Sequence, residues 1–227
     1  MIDILKAALA ITWKDLYFEW KTKQIISTML LFSALVIVTF SFAFDQANST
    51  VRAVIPGMIW VITIFSGILG LNRSFLGEQA NDSMNGLIIA PIDPSSVYLG
   101  KFLSNLILVL VVQIVAVPLL FILFDFKVFG NIPLLVVVLL LGTIGFISVG
   151  TFLAALSVNS KSSEMLLPVI LFPVVSPVVI GAVQATKIIL MNFENIASAY
   201  SWMNLMAAYD LVFFIICFIL FEYVLEV

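Results

Sequence analysis

The sequence predicts an all-α membrane protein, with six transmembrane helices preceded by an amphipathic helix lying in the membrane interface. Three observations carry this. Of the 227 residues, 63% are hydrophobic and only 10% charged, against roughly 45–50% and about 25% in soluble domains; the mean hydropathy is +1.24. The apolar residues fall in runs long enough to cross the ~30 Å hydrocarbon core as helix, which takes about 20 residues. The runs lack the polar–apolar alternation of barrel strands, which leaves helices as the way to pair every backbone group in lipid.

The first element is residues 1–23. Ile2, Leu5, Leu9, Trp13, Leu16 and Trp20 recur every three or four positions, while Asp3, Lys6, Lys14 and Lys21 fall mostly on the other side. Such a helix lies with its apolar face toward acyl chains and its lysines toward headgroups. The competing expectation is a plain cytosolic extension of the first span. The stretch mixes acids, bases and tryptophans, unlike a cleaved signal peptide.

Residues 24–227 form one membrane domain, with no linker, repeat or second domain. Hydropathy places its spans at Gln24–Phe44, Val51–Leu71, Val97–Phe124, Ile132–Ser157, Ser163–Leu190 and Leu205–Tyr223. The fifth contains Pro168, Pro173 and Pro177. Each removes a backbone donor and crowds the preceding turn, so that span is expected to be kinked or split into two half-helices. Lysine and arginine placement sets the orientation. An N-terminus in the cytoplasm leaves Lys6, Lys14, Lys21, Lys23, Arg73, Lys101 and Lys161 inside and only Arg52, Lys127 and Lys187 outside. Both termini are therefore expected in the cytoplasm. The one longer outer stretch, about 191–204, holds Tyr200 and Trp202 as expected interfacial anchors.

Several functions are excluded or disfavoured by composition. Histidine is absent, which removes histidine metal sites, proton relays and haem ligands. Cys217, the only cysteine, reads as a buried apolar thiol. No phosphate-cradling G-x-x-x-x-G-K-[ST] loop occurs, and no basic, aromatic-laced stretch supports nucleic-acid binding. An ion-coupled secondary transporter needs ionisable groups deep in the spans, where Gln113 is the one strongly polar side chain. Gln113 is expected to bond to a neighbouring helix. Glu164 is expected to pair with Lys161 or the helix dipole, and Asp210 to be solvated near the outer surface. Gly142, Gly145 and Gly150 invite close helix packing, within a protomer or at a dimer seam. An intramembrane enzyme would need convergent polar groups, and none converge.

The polar segment with a shape is residues 72–94, joining the second and third spans on the cytoplasmic side. Phe75, Gln79, Asp82 and Gly86 step along one side, and Met84, Leu87 and Ile88 cluster on another. Pro91 and Pro94 end any helix there, and Ser95 is expected to cap the next one. A short surface helix presented to a cytosolic partner and a solvated loop both fit this pattern.

Pro56-Gly57-Met58-Ile59-Trp60-Val61, then Asn72-Arg73-Ser74-Phe75, Glu78, Ser83, Leu87, Pro91 and Lys101 carry a more specific likeness. They resemble the membrane subunit of the haem exporter of cytochrome c maturation, the cytochrome c maturation protein B family of exporter-type ABC permeases. The likeness covers nearly the whole chain, with Pro56, Gly57 and Trp60 as its family motif. Asp82 stands where a glycine is common and Asn85 where an acid is common.

The resemblance implies a permease without chemistry of its own, in the bacterial cytoplasmic (inner) membrane. ATP would be hydrolysed by a separate dimeric ABC ATPase subunit, and a second copy of the chain would complete the permease. Arg73, Phe75, Glu78, Asp82, Ser83, Leu87 and Pro91 would couple to that ATPase. A haem-handling membrane protein, a periplasmic haem chaperone and membrane lipids complete the implied partners. No cofactor is expected on the chain itself; haem would be cargo or bound to a partner. The lack of histidine favours a mechanical role, releasing the loaded chaperone, over direct movement of haem. An exporter permease for a lipid, polysaccharide or drug is the alternative, disfavoured by the compact outer loops.

Overall fold

Backbone N–H and C=O groups in long apolar runs find no partner in lipid and must pair within the protein, and in the computed structural model they do so as helices. The structure describes residues 2–44, 49–80, 93–127, 130–158, 163–191 and 196–225. These hold α1 (Ile2–Thr22), α2 (Gln24–Ala43), α3 (Ser49–Ala80), α4 (Pro94–Leu123), α5 (Ile132–Val158), α6 (Ser163–Met191) and α7 (Ile196–Leu225). No strand occurs among the described residues. Helices α2 to α7 provide six stretches long and apolar enough to cross a membrane, as the hydropathy reading expects.

α1 exposes both the apolar stripe and the lysines its spacing predicts, and buries a further stripe that the spacing reading did not single out. Leu5, Leu9, Trp13 and Trp20 are exposed, while Ala8, Ile11, Thr12 and Glu19 are buried. The buried face packs on α4 at Gly100, where an added Cβ would stand 2.7 Å from Ile11 Cβ and 2.9 Å from the Ala8 carbonyl oxygen. Only glycine admits that approach. α1 is thus docked on the bundle, with Trp13 and Trp20 on its exposed face. Lys23 alone separates the two helices, in the left-handed region at φ 53°. Glu19 braces this elbow: its Oε1 accepts the Ile26 amide of the next helix at 2.8 Å, a carboxylate where an N-terminus favours one.

Four expectations are refined or overturned. The connection expected from residue 72, for which a short surface helix and a solvated loop both fitted, begins as a continuation of α3, helical to Ala80 and carrying Arg73, Phe75 and Glu78. α7 begins at Ile196, not near Leu205, so Tyr200 and Trp202 lie on a helix and not in a loop. Ser95 does not cap α4; Asp93 does, accepting the Ser95 amide at 2.8 Å with Pro94 at the first helical positions, where proline's missing N–H costs nothing.

The fourth change is α6, which is not split. It runs unbroken from Ser163 to Met191 through Pro168, Pro173 and Pro177. Pro177 cannot bond the carbonyl four residues back, that of Pro173. The Ser176 hydroxyl donates to that carbonyl instead, at 2.9 Å. Close by, Tyr209 Oη of α7 donates to the Val174 carbonyl at 2.9 Å. Hydroxyls supplied locally and by a neighbour are how a proline-bearing helix stays continuous in lipid.

α3 holds the most buried of the six spans, packing against α2, α4, α5 and α6. Its seam with α5 alternates large against small. The Trp60 ring lies on Gly142, Phe146 lies on Gly67, and Leu71 lies on Gly150, where an added Cβ would stand 2.6 Å from Leu71 Cδ1. Without a hydrophobic drive between helices in lipid, such fitted contact supplies the association. Gly142 and Gly150 are thus used within one protomer.

Candidate functional site

Among the described residues, one polar constellation sits at the α1 end of the bundle, and two others sit within a turn of each other along α5, at Gly142–Thr143 and at Gly145. In the first, Lys101 of α4 is almost wholly buried, with a side chain 1% exposed, and its Nζ pairs with Asp15 Oδ2 at 2.9 Å. Asp15 also pairs with Lys14 at 3.2 Å and accepts from the Ser104 hydroxyl at 3.3 Å. The Phe75 ring lies 5.4 Å from the Lys101 ammonium, within cation–π range. One buried cation thereby joins α1, α3 and α4 where α3 leaves the span.

This places the residues expected to couple to a partner. Arg73 is exposed. Phe75 is turned inward and 1% exposed, so its ring holds the end of α3 in place and is not presented outward. Glu78 is on α3, with no described side chain. Asp82, Ser83, Leu87 and Pro91 lie outside the described residues. So does Lys161, and with it the expected pairing with Glu164.

The second constellation surrounds Trp60. Its Nε1–H donates to Thr186 Oγ1 of α6 at 3.0 Å, and its ring covers Gly142 of α5. Pro56 is buried one turn earlier on α3, and Gly57 is half-buried with no atom within 4 Å of a would-be Cβ. The motif therefore ties three helices through its tryptophan. On the same helix, Thr63 meets Gln113 of α4. Gln113 Nε2 donates to Thr63 Oγ1 at 3.1 Å and to Thr143 Oγ1 of α5 at 2.9 Å. Each hydroxyl in turn donates to its own helix, at the Ile59 and Leu139 carbonyls. Gln113 bonds to neighbouring helices, as expected, and both its amide hydrogens are used.

The third is Asp210, and here the sequence expectation fails. With α7 starting at Ile196, Asp210 stands halfway along a 30-residue helix. It is 7% exposed, far from the solvated position expected near the surface. Its carboxyl lies against Gly145 of α5, where a Cβ would collide with Oδ1. Cys217 is buried, as expected.

Sequence reading missed Asp15, Thr63, Thr143 and Thr186. Asp15 had a signal: with Ala8, Ile11, Thr12 and Glu19 it makes a second helical stripe. The threonines had none, because a mid-span hydroxyl bonding its own helix looks the same whether or not a neighbour also uses it.

A bundle of six spans with buried hydrogen-bonded knots and an interfacial helix docked at one end is a helical membrane protein of the permease type. A family model described as CcmB protein matches residues 6–225, and the chain belongs to that family. It is 29% identical over 160 residues to Heme exporter protein B of Pseudomonas aeruginosa, covering 69% of this chain and 71% of that protein. Against Heme exporter protein B of Rhodobacter capsulatus it is 29% identical over 163 residues, covering 70% and 72%. The Haemophilus influenzae protein of the same name is 27% identical over 175 residues, covering 77% and 78%.

Proposed function

We propose that this chain is the membrane subunit of a haem exporter serving cytochrome c maturation, driven by ATP hydrolysis on a separate ABC ATPase. The observation that carries the reading is the family match from residue 6 to residue 225. The chain sits in the bacterial cytoplasmic membrane with both termini inside, by its lysine and arginine bias. Two copies pair to match a dimeric ATPase. A haem-handling membrane protein and a periplasmic haem chaperone complete the assembly, in which the ATP-driven motion exports haem or releases the loaded chaperone.

Arg73, Glu78, Asp82, Ser83, Leu87 and Pro91 form the ATPase contact. Support comes from α3, whose helix passes from the span into this segment without a break. A push at Arg73 or Glu78 therefore acts directly on this helix, which is continuous as far as Ala80. Phe75, held under Lys101, is the fulcrum of that helix and not part of the contact.

Glu78→Arg tests the reading. The reversed charge is expected to lower ATPase recovered with the tagged chain, and haem delivered outside the membrane, by about tenfold or more, as losing ~1.4 kcal/mol of contact would. Monomer stability in detergent should not change. Undiminished ATPase binding and ATP turnover would remove this segment from the coupling role.

A further inference from the structure

We propose that Asp210 is a proton-binding site inside the membrane, holding a proton in the seam between α5, α6 and α7. Neither Oδ1 nor Oδ2 has a hydrogen-bond partner among the described residues, and the residue is 7% exposed. An isolated carboxylate in an apolar interior is so costly that the group takes up a proton instead. Ionisable side chains at this depth mark functional sites by default.

The surroundings leave the proton as the charge Asp210 takes. α5 carries no ionisable residue anywhere from Ile132 to Val158. On α6, Glu164 and Lys187 lie toward the two ends; Lys187 is nine residues past Val178, about 13 Å along the axis. On α4, Tyr98 and Lys101 lie near the helix start, and Lys101 is engaged with Asp15. On α7 itself, Tyr209 directs its hydroxyl to the Val174 carbonyl, and Cys217 is two turns away. No cation faces Asp210 among these groups.

The seam is also built to hold the carboxyl. Gly145 is the residue that gives it room, since a Cβ there would collide with Oδ1 and lie 3.0 Å from Val178 Cγ2. Val178 follows Pro177, where α6 lacks a backbone bond and leans on Ser176. This inference goes beyond haem export and does not rest on it.

The test is infrared spectroscopy of the purified full-length protein in lipid nanodiscs, with aspartate labelled by carbon-13 at the side-chain carboxyl. A solvated aspartate is ionised above about pH 4. The expected result is an isotope-shifted protonated-acid C=O band that persists at neutral pH and is lost in Asp210→Asn. Absence of that band at neutral pH, or its survival in Asp210→Asn, would overturn the proposal. If the variant does not accumulate, dicyclohexylcarbodiimide, which reacts with protonated carboxyls in apolar surroundings, is mapped on the wild-type protein by mass spectrometry. An adduct on Asp210 supports the site, and adducts confined to other carboxyls overturn it.

Discussion

Trp60→Ala is expected to cost about 3–5 kcal/mol of stability, the range for deleting a buried tryptophan or phenylalanine ring, and to abolish accumulation of the chain in the membrane. The ring is the largest fully buried side chain and rests on Gly142, so its removal opens a void between α3 and α5 that neither backbone can close. Thr186 also loses the indole donor. Trp60→Phe separates the two parts. It keeps most of the packing and forfeits one hydrogen bond, about 1 kcal/mol. Thermal unfolding in detergent should rank wild type, Trp60→Phe and Trp60→Ala in that order with a wide gap before the last. Equal losses for the two variants would mean that the hydrogen bond, not the fit against glycine, holds the three helices.

The second large effect is at Lys101. Lys101→Met keeps the apolar stem but leaves Asp15 with the half-exposed Lys14 and the Ser104 hydroxyl. Removing one partner of a buried pair costs about 3–5 kcal/mol; the lower end applies here because the Asp15 side chain is 14% exposed. α1 is expected to loosen from α4, seen as faster hydrogen exchange across Ile11–Glu19. The double variant Asp15→Asn/Lys101→Met removes the stranded charge and should recover most of the loss, since a buried pair replaced as a unit is often nearly neutral. A double variant as unstable as the single one would assign the effect to packing of the lysine stem.

The spans were legible because a run of about 20 apolar residues has one solution in a bilayer, and α1 because its stripe repeats every three or four residues. The ends were not. Asn72, Arg73 and Ser74 look like the start of a loop, yet α3 continues through them because Phe75 has a buried seat under Lys101. At α7, the polar residues of Ser198–Asn204 dilute hydropathy although they sit on helix, and that shift hid the depth of Asp210. The prolines of α6 signalled a break, and the local remedy through Ser176 depends on a rotamer that sequence does not specify. Lys101 was countable as a positive charge; its burial depends on Asp15, 86 positions earlier in the chain. The glycines announced close packing, but their partners Trp60, Leu71 and Asp210 follow from helix register, which spacing within one helix does not contain. Of the residues expected to couple to the ATPase, Arg73 and Glu78 lie on the continuation of α3, and Phe75 faces inward.

The central claim is that the chain works as the membrane half of an ATP-driven haem exporter. The most direct measurement is affinity purification of the tagged full-length protein in mild detergent, with mass spectrometry and absorption spectra of what accompanies it. The expected result is a separate ABC ATPase in equal or near-equal amount, together with a membrane protein whose absorption spectrum shows haem. Recovery of the folded chain without any ATPase, across several mild detergents, would contradict the claim.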